Sequence, residues 1–379
     1  MMQGEYGRRF GAVILAAGFS SRMGDFKPLM DLAGQSVLAR CVRNFRDAGV
    51  RNILVVTGHR ASEVQAEVEK LGISSMHNAR HELGMFSSVC VAVAGLFELS
   101  HLSGLDAFFV LPVDVPLVRP ATIRALIDAH DGLITYPCFE GERGHPPLLP
   151  ASLIPKILGH DGQGGLKSLL ETCPSLDVPV WDRGILLDAD TPDDFSGLVR
   201  RAGRLGVGER DEALALARLS MPERGLAHGL AVARVALRLG EELNRHGASL
   251  DPDLIHNAAL LHDIGKGQPA HEARGGEMLV ELGLSGLAPL VASHRDVPPP
   301  ASGVLTEKEV VCLADKLVRC DRRIGVEERF GEKLALYSLD AHACRAIRGR
   351  MNNALALRGL VEQSCGRGIE EILDGVVLP

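Results

Sequence analysis

The strand-forming signal in this 379-residue chain stops near residue 203, and that switch constrains the fold more than any other feature. Upstream, short apolar runs at 12–16, 52–57, 107–112 and 133–136 alternate with helix-periodic segments at 35–48, 60–71, 86–99 and 120–130. Such alternation implies right-handed crossovers and a parallel-dominated sheet covered on both faces. Downstream only helical patterns follow. Ser220-Met-Pro-Glu223 reads as a capping box opening a long helix, Asp251-Pro252 opens a second, and Thr306-Glu-Lys-Glu309 caps a third. The stretch 332–374 is also helix-like. The expected organisation is an α/β domain at 1–202, a glycine-containing linker at 203–219 and an all-α domain at 220–379. Each half has its own apolar pattern, so fragments 1–205 and 215–379 should fold separately.

A hydrophobic content of 46% and a charged content of 23% are those of a soluble globular protein. The net charge of −7 argues against a broad nucleic-acid surface. Eight cysteines without a C-x-x-C pair suit reduced thiols in a cytoplasmic protein. No secretory leader pattern and no run of membrane-spanning length is expected.

The first apolar run breaks at Gly18 into Phe-Ser-Ser-Arg-Met-Gly and then Lys27. A glycine lets backbone approach an anion closely, and successive N–H groups there form a concavity for phosphates. Arg22 and Lys27 could neutralise a triphosphate. A strand followed by an ordinary turn would account for the glycines but not for those cations. Neither a G-x-G-x-x-G nor a Walker loop is present. Asp114, two residues beyond the apolar run ending at Pro112, lies where open α/β sheets bind ligands. Such an aspartate can hold Mg²⁺ with the substrate phosphates, or simply serve a turn beside proline. A later run, Gly184–Leu187, ends in Asp188 and Asp190, either of which could be the second metal carboxylate. Thr191 or Asp190 could instead cap the next helix, with Pro192 in its first turn.

Five segments occur in an order that resembles the molybdenum-cofactor nucleotidyltransferases, and the cytidylyltransferases in particular. They are Leu15–Gly24 with Lys27, Gly84-Met-Phe-Ser-Ser88, Pro112-Val-Asp-Val-Pro116, Arg143-Gly-His-Pro146 and Asp188-Ala-Asp-Thr-Pro192. The resemblance covers roughly residues 10–200 and implies a Rossmann-like nucleotidyltransferase sheet domain. It also implies that Leu15, Ala16, Ala17, Gly18, Ser20, Arg22, Lys27, Ser87, Ser88 and His145 bind substrate, with Asp114 holding Mg²⁺ and Lys27 acting in catalysis. In that family Leu-Ala-Ala-Gly accompanies cytosine and Leu-Ala-Gly-Gly guanine, so Ala17 points to CTP. Val89-Cys-Val-Ala92 and Pro147-Leu-Leu149 depart from the family pattern where the acceptor should bind. The acceptor is molybdenum cofactor or another phosphorylated molecule, a polyol or sugar phosphate. A molybdoenzyme or its chaperone is a possible recipient of the product.

In the second half, His262-Asp263 ends an apolar helical run and leads into Ile264-Gly-Lys266. His228 precedes it, His271 and His294 follow, and Asp315 sits in Val310-Val-Cys-Leu-Ala-Asp-Lys-Leu317. A carboxylate on an apolar helix face is costly unless paired or metal-bound. Imidazole plus carboxylate suits Mn, Fe, Co, Ni or Zn better than Ca. Any single one of these histidines could be a capping or hydrogen-bonded residue. The ordered set resembles the HD superfamily of metal-dependent phosphohydrolases. That resemblance implies His228, His262, Asp263 and Asp315 around one metal, with His271 and His294 as ligands of a second and Asp263 bridging. Lys266 would contact phosphate, or is a solvated residue past a helix end. The combined expectation is a bifunctional enzyme. The alternative for its second half is a metal-binding regulatory module without turnover.

Overall fold

The computed structural model describes residues 9–20 and 23–378, and for 97–103 the backbone alone. The chain divides into two compact units, Met1–Gly203 and Arg204–Pro379. In the first, the strands are β1 (Phe10–Ala16), β2 (Asn52–Thr57), β3 (Ser74–His77), β4 (Ala107–Pro112), β5 (Ile134–Phe139), β6 (Glu142–Arg143), β7 (Leu148–Pro150) and β8 (Ser175–Pro179). Its helices are α1 (Val37–Asp47), α2 (Ala61–Leu71), α3 (Met85–Ser103), α4 (Pro120–Ala129), α5 (Ile154–Leu158), α6 (Gly165–Leu170) and α7 (Pro192–Ala202).

β1 lies between β2 and β4 and is parallel to both, with Val13 opposite Leu54 and Val110. These strands are nearly continuous apolar runs because helices cover both faces. Ala12, Val13 and Ile14 are wholly buried. The sheet runs β3-β2-β1-β4-β7-β5-β6, with β8 pairing β5. β7 is antiparallel to β4 and to β5, so the sheet is mixed. The expected α/β fold is present, but β3, β6, β7 and β8 were not legible as strands. Two of them are only two or three residues long. The run Gly184–Leu187 forms a short 3₁₀ turn over Arg183–Leu186, and Thr191, not Asp190, caps α7 through a capping box with Asp194.

The second unit contains α8 (Arg210–Ser220), α9 (Glu223–Arg245), α10 (Pro252–Leu261), α11 (His271–Glu281), α12 (Ala288–Ser293), α13 (Glu307–Lys316), α14 (Val326–Leu336), α15 (Ala341–Cys365) and α16 (Ile369–Ile372). A short antiparallel ribbon, β9 (Val318–Arg319) with β10 (Arg322–Arg323), makes it mostly rather than wholly helical. The linker expected at 203–219 is corrected. Only its glycine-containing start is a turn, and α8 buries Ala213, Leu216 and Ala217 within this unit. Asn257 Nδ2 ties that turn down by donating to Val207 O and Gly208 O, each at 3.1 Å. A cut at residue 215 would therefore run through a packed helix. Ser220 closes α8 and Pro222 precedes α9, so the expected box at 220–223 is not formed. The boxes that form are Glu209 with Glu212 and Thr306 with Glu309, while Asp251 caps α10 as expected. Among the described residues no helix is long and apolar enough to cross a membrane.

Candidate active site and candidate metal centre

In the first unit the chemistry gathers at the carboxyl ends of β1 and β4. Val113 N donates to Leu15 O at 3.1 Å, so the Asp114 loop sits beside the loop that leaves β1. Ser20 Oγ accepts from Lys27 N at 3.1 Å and shapes the return of that loop. Lys27 Nζ donates to Asp190 Oδ1 at 2.8 Å and reaches Asp114 Oδ2 at 3.4 Å. Ala189 N donates to Asp114 O at 2.9 Å, so backbone as well as side chain joins the two acidic loops. Burial, then Asp190, Asp114 and Asp194, push the Asp188 carboxyl up against the pull of Lys27. Burial depresses Lys27, but its bonds to Asp190 and the adjoining carboxylates outweigh that and raise it. Two carboxylates, Asp114 and Asp190, therefore share one ammonium, with Asp188 within reach of the same charges, a surplus of acidic oxygen that fits a hard divalent cation. Ser21 and Arg22 lie outside the described residues.

Two adjoining clefts open here. One, of about 300 Å³, is lined by Leu15, Ala16, Ala17, Gly18, Ser20, Lys27, Ser88 and Asp114 among others. The other, of about 790 Å³, is lined by Tyr136, Arg143, His145 and Lys167 and shares Leu15, Met85 and Pro112 with the first. Burial pushes the His145 imidazole down, against the pull of Asp114. Asn78 Nδ2 donates to Ser87 Oγ at 2.8 Å and Ser88 Oγ at 2.9 Å. Ser88 is buried at the cleft wall, whereas Ser87 spends its hydroxyl on Gly84 O at 2.7 Å. Several supports escaped the sequence reading. Asn44 Nδ2 donates to Pro116 O at 2.9 Å and anchors the Asp114 loop to α1. Asp182 accepts from Arg119 N, Thr122 Oγ1 and Gly184 N, fixing the approach to Asp188. A polar residue at an inward position of an amphipathic helix was the available signal for Asn44.

The second unit brings together every histidine and aspartate singled out there. His228 Nε2 lies 3.3 Å from Asp315 Oδ1, and His262 Nε2 lies 3.8 Å from Asp315 Oδ1 and 3.6 Å from Asp263 Oδ2. His271 Nε2 and His294 Nε2 approach Asp263 Oδ1 at 3.7 and 3.8 Å. Two overlapping groups could each hold an ion: His228, His262 and Asp315, and His262, Asp263 and His294. The imidazoles are already oriented. Nδ1 of His228, His262 and His294 faces the carbonyls of Cys320, Ala259 and Val291 at 2.9, 2.7 and 2.7 Å. A donating Nδ1–H fixes the tautomer that presents the Nε2 lone pair inward, the arrangement of metal-ligating histidines. The donor set thus fits transition-metal ions. Burial pushes His262 down to about 4 despite Asp315 and Asp263, keeping it in the neutral, ligating form. Burial alone would raise the Asp315 carboxyl, but Lys316, His228 and Arg329 hold it well below the ordinary range. Lys266 Nζ is ion-paired to Asp263 Oδ2 at 2.5 Å, a tie to a metal-site carboxylate that neither expectation for it included.

Two glycines permit this convergence. A Cβ at Gly229 would lie 2.3 Å from Leu260 O, so only glycine lets α9 approach α10 and set His228 against His262. A Cβ at Gly265 would meet His271 O at 2.4 Å, and its absence lets the turn after Asp263 pack on the start of α11. Gly229→Ala should force the two helices apart, costing about 1–3 kcal/mol of stability and weakening metal binding. Thermal unfolding and metal titration of the variant check this; an unchanged melting point and metal affinity would refute it.

The fold and the two sites define a two-domain protein that joins a nucleotidyl-transferring sheet domain to a metal-binding helical domain. Residues 12–178 match the MobA-like NTP transferase domain, and residues 225–320 match the HD domain. The chain carries a MobA-like nucleotidyltransferase domain fused to an HD-superfamily metal-dependent phosphohydrolase domain. It is 27% identical over 184 residues to the molybdenum cofactor cytidylyltransferase of Escherichia coli, covering 48% of this chain and 92% of that protein. It is 28% identical over 175 residues to the bifunctional protein GlmU of Staphylococcus saprophyticus, covering 44% of this chain but only 35% of that protein. The crystal structure of Rv0371c from Mycobacterium tuberculosis is 26% identical, with a TM-score of 0.45, covering 51% of this chain and 98% of that one.

Proposed function

We propose that the N-terminal domain transfers CMP from CTP to molybdenum cofactor, releasing pyrophosphate, and that the HD domain hydrolyses a phosphoester. The observation carrying the first half is the meeting of Lys27, Asp114 and the Asp188–Asp190 segment where a small cleft adjoins a larger one. In this reading residues 15–27 and Ser88 hold the triphosphate, with Ser87 supporting Ser88, and Lys27 offsets phosphate charge. The larger cleft, with His145, takes the acceptor. Asp114 and one of Asp188 and Asp190 would hold Mg²⁺, which supplies charge neutralisation as pyrophosphate departs. Ala17 and the named Escherichia coli relative support cytosine as the base and molybdenum cofactor as the acceptor. A molybdoenzyme or its chaperone would then receive the product. A polyol- or sugar-phosphate acceptor is the second reading. It is favoured because Val89 and Pro147, in the two segments that depart from the family pattern, both line the larger cleft.

In the HD domain, His228, His262, Asp263 and Asp315 would hold one metal, and His271 and His294 would complete a second with Asp263 between them. Such ions activate water and neutralise the phosphate, while Lys266 positions Asp263 beside the substrate. CTP should be used well over GTP, by about tenfold or more. Competition between the two nucleotides in a transfer assay measures that, and equal use would remove the base assignment. Hydrolysis of a generic phosphoester by metal-loaded protein, lost in chelator and restored by metal, separates a hydrolase from a regulatory module. Full metal occupancy without turnover on any phosphoester would favour the module.

A further inference from the structure

The HD-type cavity contains more positive charge than its own carboxylates use. Six cationic side chains and three carboxylates line its roughly 280 Å³. The carboxylates are already engaged. Lys266 pairs Asp263 at 2.5 Å, Lys316 and Arg329 pair Asp315 at 2.7 and 3.1 Å, and Arg295 pairs Glu272 at 3.2 Å. Lys333 on α14 and Arg350 on α15 remain, and no carboxylate pairs with either among the described residues. Desolvation and the charges of Arg329, Lys316 and Arg350 hold the Lys333 ammonium below its ordinary range, against the pull of Asp315, so cations outnumber carboxylates around it. Both residues lie beyond residue 320, outside the matched HD segment, in the helix-like stretch 332–374.

Metal ions in this centre would satisfy the same carboxylates further, leaving the two cavity-lining cations without a paired carboxylate: Lys333 lies over the Phe330 ring, and Arg350 Nε donates to Ala346 O at 3.2 Å. We infer that Lys333 and Arg350 form a second-anion subsite, so that the substrate of the HD centre carries a further phosphate beside the one on the metals. Two cations match a dianionic phosphate better than a single carboxylate, and a guanidinium can grip it through two parallel hydrogen bonds. This deepens the proposed phosphoester hydrolysis and rests on it. It restricts the substrate to compact polyphosphorylated molecules, such as bisphosphates or pyrophosphate-type esters.

The test uses full-length, metal-loaded protein and calorimetric titration with inorganic phosphate, pyrophosphate and phosphonoacetate. Wild type and a Lys333→Gln/Arg350→Gln variant are compared, with metal content and melting temperature measured for both. The nucleotidyltransferase domain contributes equally to each protein, so the difference reports on the tail residues. The variant should keep its metal and its phosphate affinity but bind pyrophosphate about tenfold more weakly, with a smaller loss for phosphonoacetate. Identical pyrophosphate titrations would overturn the subsite. Equal losses for phosphonoacetate and pyrophosphate would overturn the assignment of a second phosphate. A wild type that binds no metal would instead overturn the hydrolase reading beneath it.

Discussion

Asp114→Asn should leave the fold and nucleotide cleft intact and reduce nucleotidyl transfer about a thousandfold or more, since metal charge stabilisation supplies several kcal/mol of such barriers. The substitution is isosteric. The loop it sits in is held by backbone, through Val113 N to Leu15 O and Ala189 N to Asp114 O, and by Asn44 to Pro116 O. None of those bonds uses the Asp114 carboxylate. The substitution removes the charge of one of the two carboxylates paired with Lys27, the one on the loop that follows β4. Steady-state transfer rates with saturating Mg²⁺, beside an unchanged melting curve, are the measurement. Near-normal transfer would take Asp114 out of the mechanism.

His262→Ala should empty the metal centre more completely than any other single change, because His262 belongs to both potential ligand groups. It is wholly buried, and its Nδ1 is committed to Ala259 O. Truncation therefore leaves a cavity as well as a missing ligand, at about 1–3 kcal/mol before any metal contribution. Bound metal stabilises only the folded state, so the variant should also lose the metal-dependent part of its stability. His271→Ala is the contrasting case. His271 is partly exposed and stands in neither compact group, so its loss should spare the first metal. Elemental analysis of purified wild type and both variants distinguishes them. Equal metal content in all three would return these histidines to a structural role.

Much of this was readable from the chain. β2 and β4 coincide with the runs expected at 52–57 and 107–112, because strands buried on both faces must be apolar throughout. The histidine–aspartate set was readable because charged and imidazole groups on apolar helices have few other uses. What remained hidden has common physical causes. β6 and β7 are too short to show a period, and β7 exists because β4 and β5 leave an edge for it. Helix α8 reads as linker in the sequence because glycines precede it, although Ala213, Leu216 and Ala217 have helical spacing. The positioning residue Asn44 shows only as a polar residue at an inward helix position, while Asp182 and the cavity cations Arg329, Lys333 and Arg350 meet their partners through tertiary contacts that no local pattern records.

The central claim is that one chain couples a CTP-using transferase domain to a metal-dependent hydrolase domain. Its most direct test is incubation of the full-length protein with Mg²⁺, CTP labelled at the α-phosphate, and molybdenum cofactor, against parallel reactions with GTP or without acceptor. The account predicts acceptor-dependent transfer of label from CTP with stoichiometric pyrophosphate, lost in Asp114→Asn and little supported by GTP. Transfer that is indifferent to the acceptor, prefers GTP or survives Asp114→Asn would contradict it.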